Sequence, residues 1–310
     1  MIYNLNDYRD TIINIFKHSN YTIYDDRYLL SILGTRICYS SKDPLTLINE
    51  DSRIVDLTKR FELLQRLAKA GHHSVFAHTP ILVKKSFKWR ILEAVGYQLP
   101  YKVWYCKGSK YVLANARHLV ELLNIRHKDV LIRQPCAKPK QEMFYSDLTK
   151  DKIEVSTAPV KSDRYLFLIY YDIPDYGWLV VIAYNISRVC THQWVRHTWL
   201  NFSQRSHRYT KVDNVVLPES IKRLGKDEVD TYYKLIEESS RWYTYFKNRV
   251  PNEDARFIAP TGSCTTLMAS GPLFVWQDFV SKRSAPEAQW EIRRIAQTVK
   301  IVLDMLLEQV

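Results

Sequence analysis

Residues 187–209 read S-R-V-C-T-H-Q-W-V-R-H-T-W-L-N-F-S-Q-R-S-H-R-Y, and the chain is organised around them. In the first half apolar residues sit between polar ones at helical spacing, which predicts a helix. On it Arg188, His192 and Arg196 fall at i, i+4 and i+8 and make one stripe, with Gln193 and His197 beside it. Like charges along a stripe repel unless an anion lies against them. From Thr198 the pattern breaks, and Asn201, Ser203, Gln204, Ser206 and Arg208 follow as a dense run of hydrogen-bonding side chains. Guanidinium forks followed by amides and hydroxyls suit a ligand with phosphates and a heterocyclic edge. For an Arg-His pair alone, a solvated helix end and its loop would be the better reading.

Upstream, 165–171 and 178–186 are rich in β-branched and aromatic residues, and Pro174-Asp175-Tyr176-Gly177 lies between them. That pattern predicts a hairpin whose second strand delivers the chain into Ser187. Further upstream, 54–70 approximates a helical stripe with Gly71 placed to stop it. Directly after comes G-H-H-S-V-F-A-H (71–78), whose three histidines lack carboxylate or cysteine partners at metal-ligand spacing, so no metal is assigned. Downstream, 229–246 predicts an amphipathic helix stopped near Pro251. Ser284-Ala285-Pro286-Glu287 has the form of a capping box, which predicts that a helix starts there. Ile292, Ile295, Ala296, Val299, Leu303 and Leu306 give that helix a buried face.

The chain has 310 residues, enough for a sizeable core, and 46% of them are hydrophobic, which excludes a disordered class. Its net charge of +12, 45 basic against 33 acidic residues, favours polyanionic partners such as nucleic acid, an anionic membrane surface or phosphorylated small molecules. The five cysteines are scattered and form no C-x-x-C, which argues against a disulfide framework and fits a reducing cytoplasm. No leader pattern or bilayer-length apolar run is seen, so a soluble cytoplasmic protein is expected.

A series of motifs, in the family's order along the chain, resembles those of the flavin-dependent thymidylate synthases. Arg196-His197-Thr198, seven residues and then Ser206-His207-Arg208 resemble the family's R-H-R…S-x-R. Residues 35–41 (T-R-I-C-Y-S-S) resemble its R-x-C-Y-x-S, and 71–78 resemble G-H-x-S-x-x-E-H. Residues 254–260 (D-A-R-F-I-A-P) resemble A-R-x-x-L-P, and F-V-S-K-R (279–283) followed by A-Q-W-E-I-R (288–293) resembles the family's closing pair. The resemblance implies an α+β fold, a mainly antiparallel central sheet flanked by helices, forming one domain over 1–310. A long insertion, about 88–164, separates the early motifs from the R-H motif.

The resemblance also implies reductive methylation of dUMP to dTMP, with methylenetetrahydrofolate as carbon donor and NADPH-reduced FAD as hydride source. It implies a homotetramer with shared sites, and no membrane or nucleic-acid partner. By resemblance Gln193, Gln204, Arg205, Ser206, His207, Arg208, Arg256 and Arg283 meet dUMP, with Arg283 and Ser206 in catalytic roles. His72, Ser74, Arg196, His197, Thr198, Ser203 and Asp278 meet FAD. The sequence departs from the family at Ala77 (a Glu there), Thr198 (a basic residue), Asn201 (a Ser) and Pro272-Leu273-Phe274 (N-x-R). Asn115-Ala116-Arg117, inside the insertion, presents that N-x-R triplet ahead of a short helix, so Asn115 and Arg117 are expected to supply the lost flavin contacts. Two other readings stay open: a family relative that binds the nucleotide without catalysis, and a nucleic-acid-binding protein using the Arg/His face.

Overall fold

The structure, a computed structural model, describes residues 20–85, 102–122, 136–210, 212 and 214–308. Strand β1 (Tyr21–Ile23) leads into helices α1 (Leu29–Tyr39), α2 (Pro44–Glu50), α3 (Ser52–Val55) and α4 (Leu57–Lys69). Asp43, Asp51 and Asp56 start the last three, each carboxylate accepting from backbone N–H groups just ahead. The helix expected over 54–70 is therefore cut at Asp56. Gly71 stops α4 at φ 78°, where a side chain would be strained. A 3-10 turn (His73–His78) then enters β2 (Pro80–Lys84), which pairs antiparallel with β1 and with β3 (Tyr111–Asn115). One π-helical turn (His118–Leu122) follows β3.

The second sheet begins with β4 (Gln141–Asp147), β5 (Tyr165–Tyr171) and β6 (Trp178–Ser187). The expected β5–β6 hairpin is present, with Asp175 and Gly177 at φ 66° and 55° in its turn. Next come α5 (Arg188–Trp194), β7 (Asn201–Gln204), α6 (Glu219–Lys222), α7 (Lys226–Lys247), α8 (Asn252–Ala255), β8 (Cys264–Gly271), α9 (Leu273–Arg283) and α10 (Trp290–Leu307). The strand order is β4-β5-β6-β8-β7, with every neighbour antiparallel. This is the α+β arrangement that the motifs imply. The described parts of 88–164 contribute β3 to one sheet and β4 to the other.

β8 is buried at every residue and β6 at all but Tyr184, which is why these runs show no polar alternation. The predicted stripe on α10 is buried, and α10 packs against α9 and α5, while α1 covers β7 and β8. Trp276 of α9 anchors to β6, its indole N–H donating to the Leu179 carbonyl at 2.9 Å. In α7 only Tyr243 is buried, and Tyr233, Leu235, Trp242 and Tyr245 stand exposed. No helix among the described residues is long and apolar enough to cross a membrane.

Two expectations need correction. The helix carrying the cationic stripe ends at Trp194, with Val195 as its C-cap, so Arg196 leaves the line of Arg188 and His192. Ser284 is the C-cap of α9 and starts no helix; the cap of α10 is Gln289, whose side chain accepts from Glu291 and Ile292 N–H. The apolar stripe begins only at Ile292, so a helix started at Ser284 would have had no face to bury in its first turns.

Candidate functional site

β6 carries a bulge between Ala183 and Ile186, where Asn185 sits at φ 55°. The bulge is fastened by the Asn185 amide donating to Asp163 O (2.8 Å) and by Arg164 Nε donating to Asn185 O (3.1 Å). It re-aims the strand end. Ser187 then pairs with Cys264 and caps α5, its Oγ accepting from Cys190 N–H at 3.1 Å. Glu291, in the first turn of α10 and 3% exposed, locks this junction. Its carboxylate accepts from Arg164 Nη2 (2.7 Å), Ser187 N (3.1 Å), Gln289 Nε2 (3.2 Å) and the Ser187 hydroxyl. A buried charge satisfied on this scale fixes both elements that carry it.

The start of α5 holds a cationic cluster. His207 is buried, with Nε2 on the Cys264 carbonyl at 3.2 Å. Burial first, and then the charges of Arg188, Arg205 and Arg256, push its pKa down to about 4. Burial and Arg256 likewise hold Arg188 below its usual range. Arg205 is 5% exposed, with Nη2 on the Cys264 carbonyl (3.0 Å) and a buried Nε that has no partner among the described residues. Arg208 is exposed and pairs with Glu253 at 2.5 Å, while Arg256 Nε donates to the Glu253 carbonyl at 3.2 Å. Ser206 is pinned by its N–H to the Cys38 carbonyl (3.0 Å), and its Oγ accepts from Arg208 N–H (3.3 Å). Three guanidiniums about one neutral imidazole make a place for an anion.

The other end of α5 gathers Gln193, His197 and Arg283. Arg283 Nε donates to His197 Nε2 at 2.8 Å, and Nη2 donates to the Gln193 carbonyl at 3.3 Å. His197 is therefore an acceptor at this nitrogen, a neutral imidazole with its proton on Nδ1. Burial first, then the Arg283 charge, brings it down to about 4. Phe279 meets the ring edge-on at 5.0 Å and stacks on Trp194 at 5.6 Å, which orients it. Gln193 Oε1 accepts from Gln289 N–H at 3.4 Å, joining this cluster to the Glu291 lock. Gln204 Nε2 reaches Thr191 Oγ1 (3.1 Å) beside the middle of the helix. Arg188 and Gln193 are five residues apart, about 7.5 Å along the axis, so α5 spans a nucleotide-sized distance.

The residues expected to meet a flavin are less gathered. His72 and Ser74 are exposed on the turn after α4, Arg196 and Thr198 are exposed after α5, and exposed Asp278 pairs with Lys282 at 2.7 Å. Ser203 is buried and turned inward, its Oγ on His78 Nε2 (2.9 Å), and His78 Nδ1 meets Ser270 Oγ (2.8 Å). Asn115 is buried too, and its Oδ1 accepts from Arg117 N–H at 3.1 Å. Arg117 itself comes close to the His72–Ser74 turn: it pairs with Glu121 at 2.6 Å, and Glu121 lies 3.8 Å from His73.

Two residues without a role in the sequence reading matter to this geometry. Lys102 donates to the Leu200 carbonyl and to Asn201 Oδ1 (3.2 Å), while Asn201 Nδ2 donates to the Ala77 carbonyl (2.9 Å). Burial first, then Arg117, lowers the Lys102 pKa to about 8. It lies outside every motif and carries no signal in the sequence. Glu291 was legible: it stands four, seven and eleven residues before Ile295, Thr298 and Val302, on the buried stripe of α10.

Residues 179–305 match the thymidylate synthase complementing protein family. The flavin-dependent thymidylate synthase of Saccharolobus solfataricus is 31% identical over 184 residues, 57% of this chain and 68% of that protein. The one from Sulfolobus acidocaldarius is 34% identical over 131 residues, 41% of this chain and only 50% of that protein. A solved flavin-dependent thymidylate synthase of Helicobacter pylori, complexed with FAD and dUMP, aligns over 40% of this chain and 66% of its own. At 20% identity and a TM-score of 0.32 that likeness carries no argument. The motifs on α5, β7, α9 and α10 thus lie inside matched sequence, and the relative covered over 68% of its length decides the matter: the chain belongs to the flavin-dependent thymidylate synthase family.

Proposed function

We propose that this protein methylates dUMP to dTMP, with methylenetetrahydrofolate as carbon donor and FAD, reduced by NADPH, as hydride carrier. The observation that carries the reading is the pair of clusters on α5: guanidiniums around the buried His207 at one end, and a guanidinium fixed on a neutral imidazole at the other. The nucleotide phosphate fits against Arg188, Arg205 and Arg256, with Arg208 released from Glu253 to join them. The pyrimidine then extends along α5 towards Arg283. Uracil C5 must become nucleophilic, and a planar guanidinium along the ring edge stabilises the negative charge that develops. Arg283 suits this task because His197 and Gln193 fix its plane while Nη1 has no hydrogen-bond partner among the described residues. Ser206 orients the nucleotide.

Arg196, Thr198, His72 and Ser74 offer solvent-facing donors that fit an anionic dinucleotide, with Arg117 adjoining. When bound, FAD supplies the hydride. Ser203 and Asn115 are committed internally, so the flavin contacts would come from the exposed set. A homotetramer would give a partner to Leu235, Trp242 and Tyr245, which stand exposed on one side of α7. Residues 88–164 would then be an elaboration within one domain. The second reading, a nucleotide-binding relative without catalysis, is favoured by the inward turn of Ser203 together with Ala77 and Thr198. Incubation with FAD, NADPH, dUMP and methylenetetrahydrofolate separates them. The first reading expects flavin absorbance on the protein and dTMP in the product; dUMP binding without either supports the second.

A further inference from the structure

The loop that carries Arg196, His197 and Thr198 runs from the C-cap of α5 at Val195 to the head of β7 at Asn201. Its own hydrogen bonds are short-range. His197 N–H donates to Trp194 O (3.0 Å), Thr198 N–H to Arg196 O (3.0 Å) and Leu200 N–H to His197 O (2.9 Å). Bonds of this kind shape a loop without tying it to the rest of the fold. Two longer ties do that: Arg283 on His197 Nε2 and, at the far end, Lys102. Lys102 lies outside the matched residues 179–305. Its ammonium donates to the Leu200 carbonyl and to Asn201 Oδ1 (3.2 Å), and Asn201 Nδ2 donates on to the Ala77 carbonyl (2.9 Å). One cation thus joins the loop, the head of β7 and the turn His73–His78.

The base of this lysine is fixed. Two residues on, Trp104 exchanges backbone hydrogen bonds with Leu113 of β3 (2.8 and 3.1 Å), and its ring meets Trp178 edge-on at 5.3 Å. The head of the lysine is less secure. Both of its acceptors are neutral, and no carboxylate pairs with it among the described residues. The charge that acts on it is Arg117, itself paired with Glu121 at 2.6 Å. Burial first, then this like charge, brings Lys102 to about 8, a range in which a solvated lysine keeps its proton. A neutral amine donates weaker hydrogen bonds to carbonyl oxygens than an ammonium does. The other groups around the loop do not titrate there. His78 (about 3), His118 (about 4) and His197 (about 4) are neutral, Arg117 stays charged, and burial pushes the Cys38 thiol beside Ser203 up.

We propose that Lys102 is a positioning residue: charged, it holds the Arg196–Thr198 loop against the fold, and on losing its proton it lets that loop open. The consequence for FAD rests on the function proposed above, in which Arg196 and Thr198 are donors to the flavin. The fastening of the loop does not rest on it.

The test uses the full chain and two variants, Lys102→Met and Lys102→Arg, the second keeping a cation that stays charged throughout. Amide hydrogen exchange over 195–201, with β6 as internal reference, reads the loop without any ligand. At about pH 7 the loop of Lys102→Met should exchange about tenfold faster than that of the wild type, with β6 within about twofold, and Lys102→Arg should match the wild type. From about pH 7 to 9, after correction for the intrinsic rate, the wild-type loop should open about fivefold more and that of Lys102→Arg should not. FAD affinity should fall by the same factors, while dUMP affinity, titrated without flavin at about pH 7, stays within about twofold in all three. Equal loop exchange in wild type and Lys102→Met overturns the proposal, and so does a wild-type loop indifferent to pH. FAD affinity that ignores an opened loop overturns the positioning role. If Lys102→Met unfolds, which β6 exchange would show, the pH comparison of wild type with Lys102→Arg decides alone. Faster loop exchange in Lys102→Met, with no FAD bound by any of the three proteins, keeps the fastening and removes the flavin reading.

Discussion

Glu291→Gln probes the lock between α10 and the start of α5. The carboxylate accepts four hydrogen bonds, one from the Arg164 guanidinium at 2.7 Å, and is 3% exposed. An amide of the same shape keeps one acceptor oxygen but sets an NH₂ donor against donors and leaves Arg164 without its counter-charge. Breaking a buried pair from one side costs roughly 3–5 kcal/mol. The low end applies because Arg164 retains 19% exposure, the Asn185 carbonyl at 3.1 Å and the Trp290 ring at 5.6 Å. A loss of about 3 kcal/mol, with a urea m-value of about 3 kcal/mol/M for a chain of this size, moves the unfolding midpoint by about 1 M.

The assay is urea unfolding at fixed protein concentration, followed by dUMP titration of the folded variant. Affinity should fall, because the cap of α5 loses the partner that orients the Ser187 hydroxyl. Adding Arg164→Met should restore at least 1 kcal/mol by removing the stranded cation. A midpoint shift below about 0.3 M, equivalent to about 1 kcal/mol, would refute the reasoning. So would a double variant no more stable than Glu291→Gln alone.

Arg283→Lys should reduce turnover about a hundredfold while dUMP affinity changes only a fewfold, since lysine cannot hold His197 and Gln193 together and keep a planar edge free. Single-turnover kinetics and nucleotide titration separate the two effects; near-normal turnover with weakened binding would make Arg283 a binding residue only. Burial holds His78 at about 3, with the charge of Lys102 second, against about 6.5 in an unfolded chain. The unfolded state therefore takes up that proton first as the pH falls. The stability involved is complete above about pH 6.5 and is lost towards pH 3, at up to about 1.4 kcal/mol per pH unit. His118, lowered to about 4 chiefly by burial, acts with the same sign; Asp25, raised to about 6 by burial, opposes both. His78→Gln should thus flatten the acid decline of the urea midpoint between about pH 6.5 and 4.5, and an unchanged slope would show that His78 does not carry it. Arg117→Ala should weaken FAD binding about three- to tenfold, a modest effect because Glu121 already neutralises part of the charge and the side chain is 36% exposed. Fluorescence titration reads this directly, and unaltered FAD affinity would leave Arg117 a surface residue.

The sequence by itself determined the elements whose signal is local. The β5–β6 hairpin announced itself in β-branched runs about a Pro-Asp-Tyr-Gly turn, and the strand was long enough to feed Ser187 into α5. The stop at Gly71 followed from its freedom at positive φ, and the buried face of α10 from the spacing of its aliphatic residues. The R-H and S-x-R motifs marked the segment that carries both clusters on α5 because their spacing is a property of the chain alone. Only the tertiary structure decided where that segment's side chains point. Helix ends were misjudged at Arg196 and Ser284 because a cap depends on which turn first finds a surface to bury, a contact with distant residues. Ser203 read as a ligand contact and was turned inward by His78, 125 positions away; Lys102 carried no signal, yet it fastens the loop at Leu200. A charge or hydroxyl reveals its chemistry in one dimension, but whether it meets solvent, a carbonyl or another charge is set by packing between segments far apart in the chain. That packing is what placed Arg283 against His197 and Glu291 beneath Ser187.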